Sequence, residues 1–105
     1  MIFKDGVSIE GIKPEAWALA VYADQIWKQL GREEGVTITS GTDGRHSTHS
    51  LHYRGLAFDL RTRYFTESQK KQAKMMLEYY LGPDYYVLIE KTHIHAQYTH
   101  DNVKK

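Results

Sequence analysis

Between Pro14 and Gly31 the apolar residues recur at three- and four-residue steps: Ala16, Leu19 with Ala20, Ala23, Ile26 with Trp27, then Leu30. That spacing predicts an amphipathic helix with a single apolar stripe, which Trp17 and Trp27 fit. Pro14 suits the first turn, where a missing N–H costs nothing, and Glu15 behind it suits the positive end of the helix dipole. Val36-Thr37-Ile38-Thr39 then changes to β-branched alternation, which predicts a strand. Ser40 to Arg54 is rich in Gly, Ser, Thr and His with almost nothing apolar, and reads as a long loop. Loops of that length inside a compact domain usually carry function. Leu56, Phe58 and Leu60 alternate with Ala57, Asp59 and Arg61, a second strand with one apolar face. Thr66 and Gln69 have the spacing of a capping box. The helix they open carries Ala73, Met76, Leu77 and Tyr80 on one side and stops at Gly82-Pro83. Tyr85 to Ile89 and His93 to Tyr98 read as strands on either side of Lys91-Thr92. The order predicts a single α+β domain over 1–105, with helices packed on a small, mainly antiparallel sheet.

Composition narrows the function classes. Fourteen Lys+Arg against thirteen Asp+Glu give a net charge of +1, which argues against a broad basic field for nucleic acid or an anionic membrane. A histidine-metal nuclease is poorly served for the same reason. The longest apolar run, Ala16 to Ala23, falls far short of the ~20 residues that span a bilayer, so no membrane insertion is expected. Met1-Ile2-Phe3-Lys4-Asp5 lacks a signal-peptide layout. The expectation is a cytoplasmic protein, or a phage-encoded one released by other means, acting as a monomer. The chain has no cysteine, which removes disulfides, thiolate zinc sites, iron–sulfur clusters and a cysteine nucleophile. Its six histidines, at 46, 49, 52, 93, 95 and 100, all lie after residue 45.

Those histidines suggest a metal site. Leu56, Phe58 and Leu60 claim the core face of their strand, so Asp59 lies on the opposite face, where small Ala57 leaves room beside it. His93 and His95 are two apart, so in a strand both emerge on one face with Ile94 directed to the core. His52, Asp59 and one later histidine would supply two imidazoles and a carboxylate. Nitrogen and oxygen ligands with an open fourth position describe a catalytic zinc site rather than a closed structural one. HExxH, Walker, GxSxG and Rossmann signatures are absent.

Ser50-Leu51-His52-Tyr53-Arg54-Gly55-Leu56-Ala57-Phe58-Asp59 has the pattern Ser-x-His-x-x-Gly-x-Ala-x-Asp. This resembles the first metal motif of zinc D-Ala-D-Ala carboxypeptidases and phage L-alanyl-D-glutamate peptidases. The same superfamily contains the hedgehog signalling domain. Ser-Leu-His-Tyr-x-Gly-x-Ala-x-Asp, His-Ile-His at 93–95 and Ile2-Phe3-Lys4-Asp5 are still more similar to hedgehog segments, and the likeness runs from Ile2 to about Asn102. The resemblance implies a hedgehog/DD-peptidase-like fold with His52, Asp59 and His95 as zinc ligands. It implies Glu90 as the catalytic carboxylate and His93 and His46 as further active-site histidines.

Two departures bear on that reading. Hedgehog domains place one more residue between the glutamate and His-x-His, and strict alternation puts Glu90 on the face opposite His93 and His95. Glu90 therefore reaches a metal only if the chain bends at Lys91-Thr92. The hedgehog acidic cluster survives mainly as Asp43, with Gly6, Val7 and Ser40 where carboxylates would be needed, so no strong calcium site is expected. Asp43 is explained by a Thr-Asp-Gly turn. Arg45, after Thr39-Ser40-Gly41, resembles a substrate-carboxylate arginine of the wall peptidases, with Arg54 a weaker competitor. Ser50 is expected to fix the loop or touch substrate, and His49 and His100 to be solvated bystanders. The reading that follows is a zinc peptidase acting on peptidoglycan stem peptides, as a carboxypeptidase or an endopeptidase. The alternative is a non-catalytic, hedgehog-like zinc-containing binding module.

Overall fold

The computed structural model describes residues 1–43, 52 and 54–99. Its first strand, β1 (Ile2–Phe3), leads to α1 (Pro14–Gln29), β2 (Thr37–Ser40), β3 (Ala57–Arg61), α2 (Glu67–Leu81), β4 (Tyr85–Ile89) and β5 (His93–Tyr98). The five strands form one sheet in the order β1-β2-β3-β5-β4. Only the β1–β2 pair is parallel; the other three pairs are antiparallel. The α+β class expected from the pattern is therefore the fold observed. Among the described residues no helix is long and apolar enough to cross a membrane.

Helix α1 buries the expected stripe, Ala16, Leu19, Ala20, Ala23, Ile26 and Trp27. The Trp27 indole N–H also donates to the Arg61 carbonyl at 2.9 Å, tying the helix to β3. At the start of α2 the capping box is complete: Thr66 Oγ1 accepts from the Gln69 N–H, and Gln69 Oε1 accepts from the Thr66 N–H. Ala73 and Leu77 are buried in the core with Phe58, Leu60, Val87, Ile94 and Ala96. Both helices lie on one face of the sheet, because that is the face to which Phe58, Leu60, Ile94 and Ala96 point.

Three expectations need correction. Tyr80 is 48% exposed rather than a core residue; its ring stacks on Tyr22 at 5.8 Å, at the rim where the helices meet. Ser40 belongs to β2 rather than to the loop. Leu56 precedes β3 and is buried with Ala57 and Tyr98 in a small second cluster, apart from the main core. Strand β1 has no local periodicity. It exists through its pairing with Thr37 and Ile38.

Candidate metal centre

The face of the sheet turned away from the helices carries the chemistry, and the strand registers set its layout. Asp59 on β3 pairs with His95 on β5, and His95 in turn pairs with Leu88 on β4. Residues directly opposite one another share a face, so these form one cross-strand row. Two residues along, Arg61 pairs with His93. The Glu90 N–H donates to the His93 carbonyl at 2.8 Å, closing a hairpin whose turn is Lys91-Thr92. The reversal aligns Glu90 with His93, so alternation counted along a single strand does not apply across it. Register between β2 and β3 shifts between Ile38 and Ser40, which sets Ser40 opposite Asp59. Such a bulge re-aims side chains beside a site.

His52 reaches the row from the loop side, and two glycines permit it. Gly55 has φ +73°, where a side chain would be strained, and an added Cβ would collide with the Gly11 carbonyl. Its N–H donates to the His52 carbonyl at 3.0 Å, while its own carbonyl accepts from the Lys13 N–H at 2.8 Å. A Cβ at Gly41 would collide with the Ser8 carbonyl. Asp43 Oδ1 accepts from the N–H groups of Ser8 and Gly41, a turn-stabilising use of this carboxylate. Held this way, the Gly41 carbonyl accepts from His52 Nδ1–H at 2.9 Å. His52 is 2% exposed.

The result is a triangle of donor atoms. His52 Nε2 lies 3.1 Å from Asp59 Oδ1 and 3.1 Å from His95 Nδ1; His95 Nδ1 lies 3.0 Å from Asp59 Oδ1. The outer nitrogens settle the tautomers. His52 spends its Nδ1 proton on Gly41. His95 Nε2–H donates to Gln97 Oε1 at 2.6 Å. Each neutral imidazole therefore turns a lone pair inward, against a carboxylate oxygen that also offers only lone pairs. Three lone pairs at such separations repel unless a cation lies among them. Tetrahedral ligands about 2.0–2.1 Å from zinc are roughly 3.3 Å apart, so the donor set fits a metal ion in spacing as well as in chemistry. His52, Asp59 and His95 together form a group that can hold a metal ion.

Protons and a metal ion compete for this position. When protons rather than a metal occupy the inner nitrogens, burial pushes the Asp59 carboxyl up, but hydrogen bonds from His52 and His95 and the charges of His52 and His93 outweigh it and hold the group well below the usual carboxylate range. Burial pushes His95 down, and here the hydrogen bonds to Asp59 and Gln97, with the charges of Asp59 and Glu90, raise it on balance.

His93 and Glu90 stand in the adjoining row. His93 Nε2 is 3.6 Å from Asp59 Oδ2 and 4.0 Å from Glu90 Oε1, so one imidazole edge spans both carboxylates. Thr92 Oγ1 lies 3.3 Å from His93 Nδ1. The Glu90 side chain is 46% exposed, on the rim of this face. A cleft of about 280 Å³ opens over Asp59 and His93, with Lys4, Arg61 and Arg63 on its walls.

His52, Asp59, His95, His93 and Glu90 are thus gathered on one face. Arg45, His46 and Ser50, together with His49 and His100, lie outside the described residues. Arg54 is exposed beside the Gly55 turn. Sequence reasoning missed Gln97, although its two-residue step from His95 put it on the ligand face. It also missed the Gly41 carbonyl and the three cations of the cleft. No family model matches the chain, and no curated protein matches it in sequence.

Proposed function

We propose that the protein is a zinc-dependent peptidase that cleaves peptide bonds in bacterial peptidoglycan, as a carboxypeptidase or an endopeptidase, within the hedgehog/DD-peptidase superfamily. The observation that carries the reading is the triangle of His52 Nε2, Asp59 Oδ1 and His95 Nδ1, each turning a lone pair to one point. Two imidazoles and a carboxylate with no thiolate suit zinc and leave a fourth position open. Zinc held there would supply Lewis acidity, polarising the scissile carbonyl and making water nucleophilic near neutral pH.

The remaining work falls to side chains of the next row. Glu90 accepts a proton from the attacking water and delivers it to the leaving amine. Its exposure at the rim leaves it accessible to substrate. His93, aligned by Thr92 and flanked by Asp59 and Glu90, donates Nε2–H to the oxyanion as it develops. Arg45, His46 and Ser50 remain part of the proposal on the strength of the motif resemblance alone.

Incubating zinc-loaded protein with purified peptidoglycan and reading new amines and carboxylates by mass spectrometry tests the proposal. Release of defined stem-peptide fragments is the expected result. The near-complete burial of His52 also suits a metal that serves folding. If no wall chemotype is cut by protein of full zinc content, the non-catalytic binding module becomes the reading.

A further inference from the structure

The peptidase reading uses Asp59, His93 and Glu90 but leaves the charge of the adjoining cleft unexplained. Arg61 stands in the same cross-strand row as His93, and Arg63 follows two residues on. Lys4 comes from the other side: its N–H donates to the Ile38 carbonyl at 2.9 Å, which places it just beyond β1 and beside β2. All three line the cleft over Asp59 and His93. Elsewhere Lys28, Arg32, Lys70 and Lys74 each pair with a carboxylate, and the other described cations without one, Lys13, Arg54, Lys71 and Lys91, do not line this cleft. Among the described residues Lys4, Arg61 and Arg63 make no ion pair.

The cleft supplies no anion of its own to balance them. Asp59 is the acidic residue in its lining, and its Oδ1 is already engaged by His52 and His95 while Oδ2 faces His93. A chain with a net charge of +1 has therefore gathered three unpaired cations around one concavity beside its metal centre. Like charges so placed repel until an anion enters. Two guanidinium forks match the planar, two-oxygen geometry of a carboxylate, and a lysine adds a mobile point charge.

We propose that Lys4, Arg61 and Arg63 form a subsite for a carboxylate of the substrate, close to the bond presented to the metal centre. The inference rests on the peptidase reading and narrows it to acidic peptides. It adds to the Arg45 kept on the motif resemblance a recognition site made by Arg61 of β3 with Lys4 and Arg63, which lie just beyond the ends of β1 and β3. The carboxylate has two possible sources in wall peptides, a chain terminus or a glutamyl side group, and both have the same chemistry.

The test is calorimetric titration of the zinc-loaded and the zinc-free protein with two probes. N-acetyl-D-alanyl-D-alanine offers a terminal carboxylate; N-acetyl-L-alanyl-D-glutamate with one carboxyl amidated offers a glutamyl one. The fully amidated form of each is the control. At least one acid should bind, with its amide weaker by about tenfold or more, and the preferred acid identifies the source. Arg61→Gln and Arg63→Gln should each weaken the acid by about tenfold without affecting the amide, and Lys4→Gln by roughly threefold. Unchanged zinc content and thermal midpoint certify the variants. Should Arg61→Gln fail to fold, Arg61→Lys keeps the charge, loses the fork and should still weaken binding. Equal binding of acid and amide, indifference to the arginine substitutions, or displacement of the dipeptide by equimolar sulfate would each overturn the subsite. Selective acid binding without hydrolysis of any wall peptide overturns the peptidase reading and upholds the subsite. Hydrolysis indifferent to the carboxylate and to all three substitutions does the reverse.

Discussion

The Leu60–Ile94–Ile89 row and the Asp59–His95–Leu88 row are neighbours on the same three strands, one residue apart. The first points to the helices and is sealed by α1 and α2. Each aliphatic side chain buried there contributes about 1.5–3 kcal/mol whatever the solution contains. The second is held against its own repulsion, with two imidazole lone pairs and a carboxylate oxygen converging. Its contribution depends on a cation or a proton in their midst. One face thus adds the same stability with or without a ligand, while the other adds stability only when a cation or a proton completes it. A one-residue shift in register would exchange the two.

Substitutions on the two faces should therefore respond differently to metal. Phe58→Ala removes a fully buried ring of the core face and should cost about 3–5 kcal/mol with or without zinc. His95→Ala should lose zinc stoichiometry. With it goes the metal-dependent rise in stability, about 4 kcal/mol at zinc a thousandfold above the dissociation constant. Chemical denaturation with and without chelator checks both, and a Phe58→Ala cost that changed with zinc would erase the contrast. His93→Ala should keep its zinc; if it loses the ion while His95→Ala retains it, the two histidines are exchanged.

Glu90→Gln sharpens the contrast within the site face itself. It should leave zinc content and thermal midpoint unchanged while hydrolysis of the cleaved wall peptide falls by about 10²–10⁴. Single-turnover rates on zinc-loaded protein would measure this. A variant as fast as the parent removes Glu90 from the role of base.

Gln97→Ala should have a smaller effect. Its side-chain oxygen holds the outer nitrogen of His95, so its loss frees the tautomer and should weaken zinc by about 10–100-fold without abolishing binding. Competition with a chromogenic chelator would measure the change. The smallest effect belongs to Asp24, far from the metal. Burial pushes its carboxyl up, but hydrogen bonds from the chain's amino group, the Val36 N–H and Lys28 outweigh it and lower it on balance. A lowered carboxyl adds stability above about pH 4, and that addition is lost as pH falls through the folded-state value. The urea midpoint of the parent should exceed that of Asp24→Asn at neutral pH, and the gap should close on acidification.

Legibility in the sequence followed the range of the interactions involved. The α1 stripe and the Thr66–Gln69 capping box are local patterns, and both were readable residue by residue. Tyr80 fell on the right helical face for the core, but it meets Tyr22 of α1 at the rim, and how far the neighbouring helix covers that face is set by the packing of the two helices. Strand β1 is two residues long and is made by its partner. In the site, Asp59 and His95 could be assigned to one face by counting in twos, and the same count reaches Gln97. It fails for Glu90, because a hairpin reverses the chain and pairs residues by their distance from the turn. That Lys4, Arg61 and Arg63 have no ion-pair partner among the described residues had no signature at all. Whether a cation has a partner is a property of the folded surface.

The Lys91-Thr92 turn has a consequence for portability. Glu90, His93, His95 and Gln97 all lie on one continuous hairpin, and its two-residue turn leaves little slack between them. Rigid elements hold chemistry more closely than loops do. This hairpin is therefore a transplantable cassette: grafted onto the edge of another antiparallel sheet, it would carry the Glu90 carboxylate, one imidazole of the candidate metal group and the amide that orients it in a single segment. The recipient would need to contribute only an aspartate on the neighbouring strand and a histidine from above.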